Sequence, residues 1–491
     1  MDARGTWIAL AALGFALSAG ATEPAKTLRL LDETATQWAT ARPATIFIAR
    51  RIVTGDGDRP TATAVAIAEG QVLSVGTLEA VAASLGAMPF DIDRRFAGKV
   101  IVPGFIEANA DPVLAAIAFG TEIISADDWK IAGRTARVAR NRAQYLARVT
   151  QAAKTIAEPD GTLFTWGYEP ELHGDVGRTL LDRAAPLRPV VLWSRAGDML
   201  VFNSAALRKY GIVEGIPEEA RFTGSRQSAA LPFVAKDLFT PRRFATGLQA
   251  LRKWLPGKGI TTLAQRGALT TIAPQHLLAA ALDDPSTPFR TFLIADGTAI
   301  YGAAAKSGEL EDVLARTQRY ATLGRGRAQW LSRQVAIRCE NRAEFEGAFR
   351  MYWDAGYQVH AEAGDECDGE MLLRMLRDRM DADRRRDHRL TVALPANAPE
   401  QLASELVALG AIVATRRAGF PEERLSRSGG LASITSEPAF ALRLEGYVGS
   451  IKAGHHADFA ILEEDPPRAT GTLDANRIWG TVVSGRVYPA R

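Results

Sequence analysis

Short apolar runs punctuated by glycine and proline dominate both ends of the chain. Residues 45–49 and 51–54 are rich in β-branched side chains, and Gly55 to Gly57 breaks them as a turn. A second run covers 62–67, Glu69 and Gly70 make a tight turn, and 71–76 is a third strand. The other end mirrors this. Residues 449–454 read as a strand with a turn, 457–462 alternate into a strand, and 478–483, Ser484, Gly485 and 486–488 form a hairpin. Neither end buries a core alone. The economical solution is one small β-sandwich built from 44–98 and 448–491, with the middle of the chain inserted.

The middle, 99–447, alternates apolar strand-like runs with amphipathic stretches. Strands are predicted at 190–193, 259–263, 289–295, 357–360, 390–394 and 411–415, and helices at 342–355, 366–380 and 400–409. Asn203 or Ser204 caps a further helix. Residues 241–254 form another, with Phe244, Leu248 and Leu251 on one face, Thr240 as N-cap and Pro241 as its first residue. Repeated βα units imply a parallel sheet, and their number suits a barrel. The predicted fold is α/β: a TIM-like (β/α) barrel, complete or incomplete, plus the terminal sandwich.

The stretch from Lys99 to Pro112 joins the two. Val100 to Val102 is a buried strand, Pro103 and Gly104 bend it, and Phe105 and Ile106 resume it. Glu107, Asn109 and Asp111 follow at period two, which puts all three side chains on one face. Polar side chains at the end of a buried strand are costly unless water, a metal or a substrate meets them.

Composition narrows the partners. The chain has 491 residues, 47% of them hydrophobic, enough for a large domain and a smaller one. Net charge is only +3, and no basic face with interleaved aromatics occurs, so nucleic acid is not an expected partner. The run Arg384 to Arg386 adjoins Asp381, Asp383 and Asp387 and reads as a solvated surface. Residues 1–21 read as a signal peptide: Arg4, an apolar stretch from Trp7 to Leu17, and the small residues Ala19, Gly20 and Ala21. The leader holds no cysteine, which argues against a lipoprotein. The expected product is secreted or periplasmic, with no membrane attachment after cleavage. The two cysteines, Cys339 and Cys367, form either one disulfide or two separate thiols.

Several phrases together resemble the amidohydrolase superfamily, in its amidohydrolase-3 branch. They are Gly70 to Gly76, the Pro103–Ile106 bend and strand, Gly449 to Gly454, Ala457 to Phe459, Leu462, and Asp465 with Pro466. The resemblance implies a metal-dependent hydrolase fold whose ligands sit at strand ends. It places a His-x-His pair at Asn109 and Asp111, a substrate-side histidine at Asp198, and a metal-bridging lysine at Ala336. The stretch from Ala355 to Asp365 keeps His360, with Glu362 or Ala361 at a second histidine position. A further ligand histidine falls at Leu394, with His388 on the same strand but away from the metal. The family's last-strand aspartate has no counterpart between Ala411 and Leu431.

Two functional expectations follow from the resemblance. The first is an exported pseudoenzyme that has lost its metal site and binds a small molecule in the barrel mouth, alone, as a homo-oligomer or paired with an active paralogue. It needs no cofactor. The second is a hydrolase of non-peptide carbon–nitrogen bonds with an altered site, using zinc or another divalent metal if the site is retained. Candidate pocket residues are His360, Glu362, Asp365 and Asp198, with Asn109 and Asp111 at the metal positions. His455 and His456 read as a surface pair in a sandwich turn.

Overall fold

In the computed structural model, β1 (Ala44–Val53) opens the described chain, followed by β2 (Thr61–Ala68), β3 (Gln71–Gly76) and the long β4 (Phe90–Pro103). The structure describes residues 43–131, 134, 135, 137–155, 157, 161–197, 199–268, 281–320, 326–339, 342–363, 369–382, 387–394, 398–415, 430–466 and 477–490. Beyond the bend at Gly104 lie β5 (Phe105–Glu107), β6 (Glu122–Ser125), β7 (Lys130–Ile131), β8 (Arg134–Thr135) and β9 (Arg137–Val138). Next come β10 (Leu163–Tyr168), β11 (Val190–Ser194), β12 (Met199–Phe202) and β13 (Arg221–Thr223). A run of parallel strands follows: β14 (Ile260–Ala268), β15 (Arg290–Asp296), β16 (Ala328–Arg338), β17 (Gln358–Glu362), β18 (Thr391–Leu394) and β19 (Ile412–Thr415). The last three strands are β20 (Phe459–Leu462), β21 (Ile478–Val483) and β22 (Arg486–Pro489).

The two chain ends share one seven-stranded mixed sheet, in the order β22-β21-β20-β4-β1-β2-β3. β4 joins them, pairing parallel to β1 and antiparallel to β20. At the far edge, Val72 N–H bonds to His455 O and Gly454 N–H to Val72 O, so the sheet curls back onto its own C-terminal turn. Phe47, Val65, Val72, Phe96, Phe459 and Val482 form one apolar cluster inside that curl. The expected pair of packed sheets is thus one sheet closing on itself.

The second sheet is the half-barrel, ordered β19-β18-β17-β16-β15-β14-β5 and parallel throughout. Its side chains alternate between two faces, as strand geometry requires. Val335, Ile337, Val359, Ala361, Val392 and Leu394 pack outward on Phe345, Phe349, Leu372 and Leu406 of the helices Arg342–Asp354, Gly369–Ala382 and Glu400–Ala408. Ile106, Ala108, Ala264, Phe292, Ile294 and Ala336 face inward. Leu442, Leu444 and Val448 fill the concave side against them. Gln334 and Gln358 fasten this plug by donating to Leu442 O at 2.8 Å and Ala441 O at 2.7 Å.

Residues 122–223 do not extend the barrel. They build a third sheet, β13-β12-β11-β10-β6-β9, inserted between β5 and β14. The predicted strand at 190–193 therefore belongs to the insert. An aromatic cluster of Phe119, Trp129, Trp166 and Trp254 seats it on the helices Pro112–Phe119 and Pro241–Trp254. Among the described residues the half-barrel has seven strands, and 416–429, where an eighth was sought, lies outside them. No helix among the described residues is long and apolar enough to cross a membrane.

Candidate functional site: the mouth of the half-barrel

Toward the C-terminal ends of β15, β16 and β17, Asp296, Ala336 and His360 stand in register, with Thr391 beside them at the start of β18. Register partners in a parallel sheet face the same side, and Ala336 faces inward, so this row lines the interior. Arg338, Glu362 and Ala393 form the next row toward the rim.

His360 is 2% exposed. Its Nε2 lies 3.0 Å from Gln334 Oε1. Gln334 spends its amide nitrogen on Leu442 O, so its oxygen accepts and His360 Nε2 carries the proton. Nδ1 then presents a lone pair with no hydrogen-bond partner among the described residues, and the hydroxyl of neighbouring Thr391 has none there either. Burial holds the imidazole well below its usual pKa, and the charges of Arg266 and Arg443 push the same way. His360 is neutral at physiological pH.

Asp296 is also 2% exposed and is fully engaged. Oδ1 caps the helix Gly297–Ser307 through Ala299 N–H at 3.0 Å, and Oδ2 receives Arg338 Nη2 at 2.7 Å. Thr298 Oγ1 clamps the Arg338 backbone on both sides, accepting from its N–H at 2.8 Å and donating to its carbonyl at 3.1 Å. Asp296 and Arg338 were not among the residues singled out from the sequence. The signal was an acidic residue followed by glycine directly after an apolar run.

The expected one-face arrangement of Glu107, Asn109 and Asp111 does not form. The strand stops at Glu107, Ala108 is the residue that turns inward, and Asn109 is exposed at the rim. Asp111 caps the helix Pro112–Phe119, accepting from Leu114 N–H at 2.8 Å. Its surface is open to solvent, yet desolvation raises its pKa, opposed by its backbone hydrogen bonds and, more weakly, by Arg338 and Gln265. Glu362 is half-buried at the end of β17, beside Arg338 in register.

Asp198 and Asp365 lie outside the described residues. Gly197, next to Asp198, approaches Leu114 on the helix that Asp111 caps, since a Cβ built there would lie 3.9 Å from it. Leu394 packs outward among the helices, so it does not stand at a lost ligand position. His388 is buried, bonded to Leu409 O and to Leu390 N–H. His455 is buried against Ser450, and half-buried His456 stacks on Tyr447, which corrects the surface reading of that pair. Cys339 is disulfide-bonded at the end of β16, while Cys367 lies outside the described residues.

Residues 386–489 match the Amidohydrolase family. An uncharacterized metal-dependent hydrolase from Pyrococcus horikoshii superposes with a TM-score of 0.61 at 11% identity, covering 88% of this chain and 100% of that one. A second, from Pyrococcus furiosus, gives 0.58 at 13% identity, covering 86% and 99%. A looser likeness, TM-score 0.44 at 15% identity over 90% and 94%, is to a mutant atrazine chlorohydrolase from Arthrobacter aurescens complexed with zinc and atraton. No curated protein sequence matches the chain. The C-terminal stretch thus matches the Amidohydrolase family, and the fold is that of the metal-dependent hydrolases.

The metal that such a fold implies can be tested against the donors present. His360 meets one requirement: one ring nitrogen is held by a partner and the other is free to ligate. The rest of the set fails. A catalytic divalent ion takes about three protein ligands, and no group of three His, Cys, Asp or Glu converges among the described residues. Asp296 is committed to a guanidinium and a helix cap. The positive charges of Arg266 and Arg443 already bear on His360, and that of Arg338 on Asp111. The described residues do not fit a catalytic metal.

Proposed function

We propose that the protein is an exported pseudoenzyme of the amidohydrolase superfamily that binds a small molecule in the mouth of its half-barrel. The observation that carries the reading is the Arg338–Asp296 ion pair, which places a fixed protein cation on the buried carboxylate of the interior row. Neutral His360 and Thr391 then offer polar atoms without partners among the described residues at one level of that row, suited to hydrogen-bonding a ligand. The leader-like residues 1–21 and the disulfide at Cys339 support export to an oxidising compartment.

A second reading, a hydrolase of non-peptide carbon–nitrogen bonds, is favoured by one observation: the free lone pair on buried His360. The experiment that separates them assays the purified chain, with and without added zinc, on a panel of N-acyl and cyclic amides, and follows thermal unfolding in parallel. The pseudoenzyme reading expects no turnover and no zinc-dependent rise in Tm, since an ion bound to the native state alone would stabilise it by mass action. Turnover that chelation abolishes and His360→Ala removes would establish the hydrolase instead.

A further inference from the structure

The opposite end of the half-barrel meets the terminal sheet at a cavity of about 370 Å³. Two buried arginines line it, Arg290 at the start of β15 and Arg327 just before β16. Their electrostatic situations differ. Arg290 is compensated: its Nε and Nη2 lie 2.6 and 3.3 Å from the two oxygens of Asp458, and Ser484 N–H donates to the same carboxylate at 2.8 Å.

Arg327 has no such partner. It is 7% exposed, and its Nη1 and Nη2 donate to Ser484 Oγ at 3.0 Å and Val483 O at 3.2 Å, both neutral acceptors. A guanidinium carries five N–H donors, and these two acceptors account for two of them. Burial and the neighbouring charge of Arg290 both pull its pKa below the usual range. A buried cation whose hydrogen bonds go only to neutral acceptors is costly. The carboxylate whose charge opposes the shift, Asp458, is already bound by Arg290, so two buried guanidinium groups share one counter-charge.

We propose that this junction cavity is an anion site in which the Arg327 guanidinium holds a small monoanionic carboxylate. The planar fork of arginine matches the two oxygens of a carboxylate. The walls decide the charge. Glu69 and Asp283 also line the cavity, and their repulsion grows with the charge of the guest, which favours a carboxylate monoanion over a phosphate dianion. His456, another lining residue, contributes a neutral imidazole, because burial and Arg290 keep its pKa below the usual value. The site lies at the other end of the strands from the barrel mouth and stands whether or not the mouth is catalytic.

Thermal unfolding and titration calorimetry of the full chain, at constant ionic strength made up with chloride, provide the test. The probes are sodium acetate and inorganic phosphate at pH 8. Acetate is expected to raise Tm saturably and more than phosphate does. Arg327→Gln should weaken acetate binding about ten-fold or more, the loss of one charge-assisted contact. Glu69→Gln, on an exposed turn, should tighten it. No saturable acetate effect, an equal effect in Arg327→Gln, or a larger effect of phosphate would overturn the proposal. If Arg327→Gln does not fold, Glu69→Gln carries the test, and unchanged acetate affinity in it would count as refutation.

Discussion

Replacing Arg338 by methionine and Asp296 by asparagine, singly and together, tests the contact on which the functional reading rests. At 2.7 Å the pair is in direct contact, worth about 6 kcal/mol by Coulomb's law at an effective dielectric near 20. Solvent reduces this sharply, because 44% of the Arg338 side chain is exposed although Asp296 is buried. Exposed pairs contribute up to about 1 kcal/mol, and breaking a buried pair costs about 3–5 kcal/mol. A coupling of about 1–2 kcal/mol lies between these limits. Asparagine is chosen because it also caps helices, so the bond to Ala299 N–H survives and the cycle isolates the ion pair. Urea unfolding at low and high salt gives the coupling, which should shrink at high salt because the guanidinium is half in water. A coupling indistinguishable from zero at low salt would mean that Arg338 does not neutralise Asp296. The Asp296 carboxylate would then be available to a metal in the interior row.

Stability should fall as pH drops below the usual histidine value. The folded pKa of His360 is depressed, so the unfolded chain takes up a proton that the folded one excludes. The slope is at most about 1.4 kcal/mol per pH unit for this group; His455 and His456 act in the same direction, and His360→Gln should flatten the urea-midpoint profile between pH 4.5 and 7. Gly247→Ala should cost about 3 kcal/mol, the upper end of overpacking, because a Cβ there would meet Ala116 O at 1.6 Å where two helices cross; the urea midpoint reports it. Cys339→Ser should lower stability by about 3 kcal/mol for a loop of some thirty residues, and dithiothreitol should then have no further effect, whereas it lowers the wild-type midpoint.

The strands were legible wherever an apolar run ended in a glycine turn, as at 71–76, 457–462 and 478–488. Their partners were not, because pairing across hundreds of residues leaves no local trace. Residues 190–193 and 259–263 look alike as apolar runs, yet one lies in the insert and the other beside β5. Facing was the other gap. Glu107, Asn109 and Asp111 obey period two only while the strand lasts, and it ends at Glu107. Leu394 was read from its place in a motif, but strand alternation turns it toward the helices. Arg338 escaped notice because an arginine at a strand end resembles any surface arginine until its buried partner is known.

The mouth of the half-barrel is proposed to hold no catalytic metal. The direct measurement is the zinc content of the untagged protein, loaded with excess zinc, dialysed and analysed by elemental mass spectrometry, with circular dichroism as the check of fold. Far less than one zinc per chain is expected, with the same residual content in wild type and His360→Ala. One zinc per chain in the wild type, lost in a folded His360→Ala variant, would contradict it.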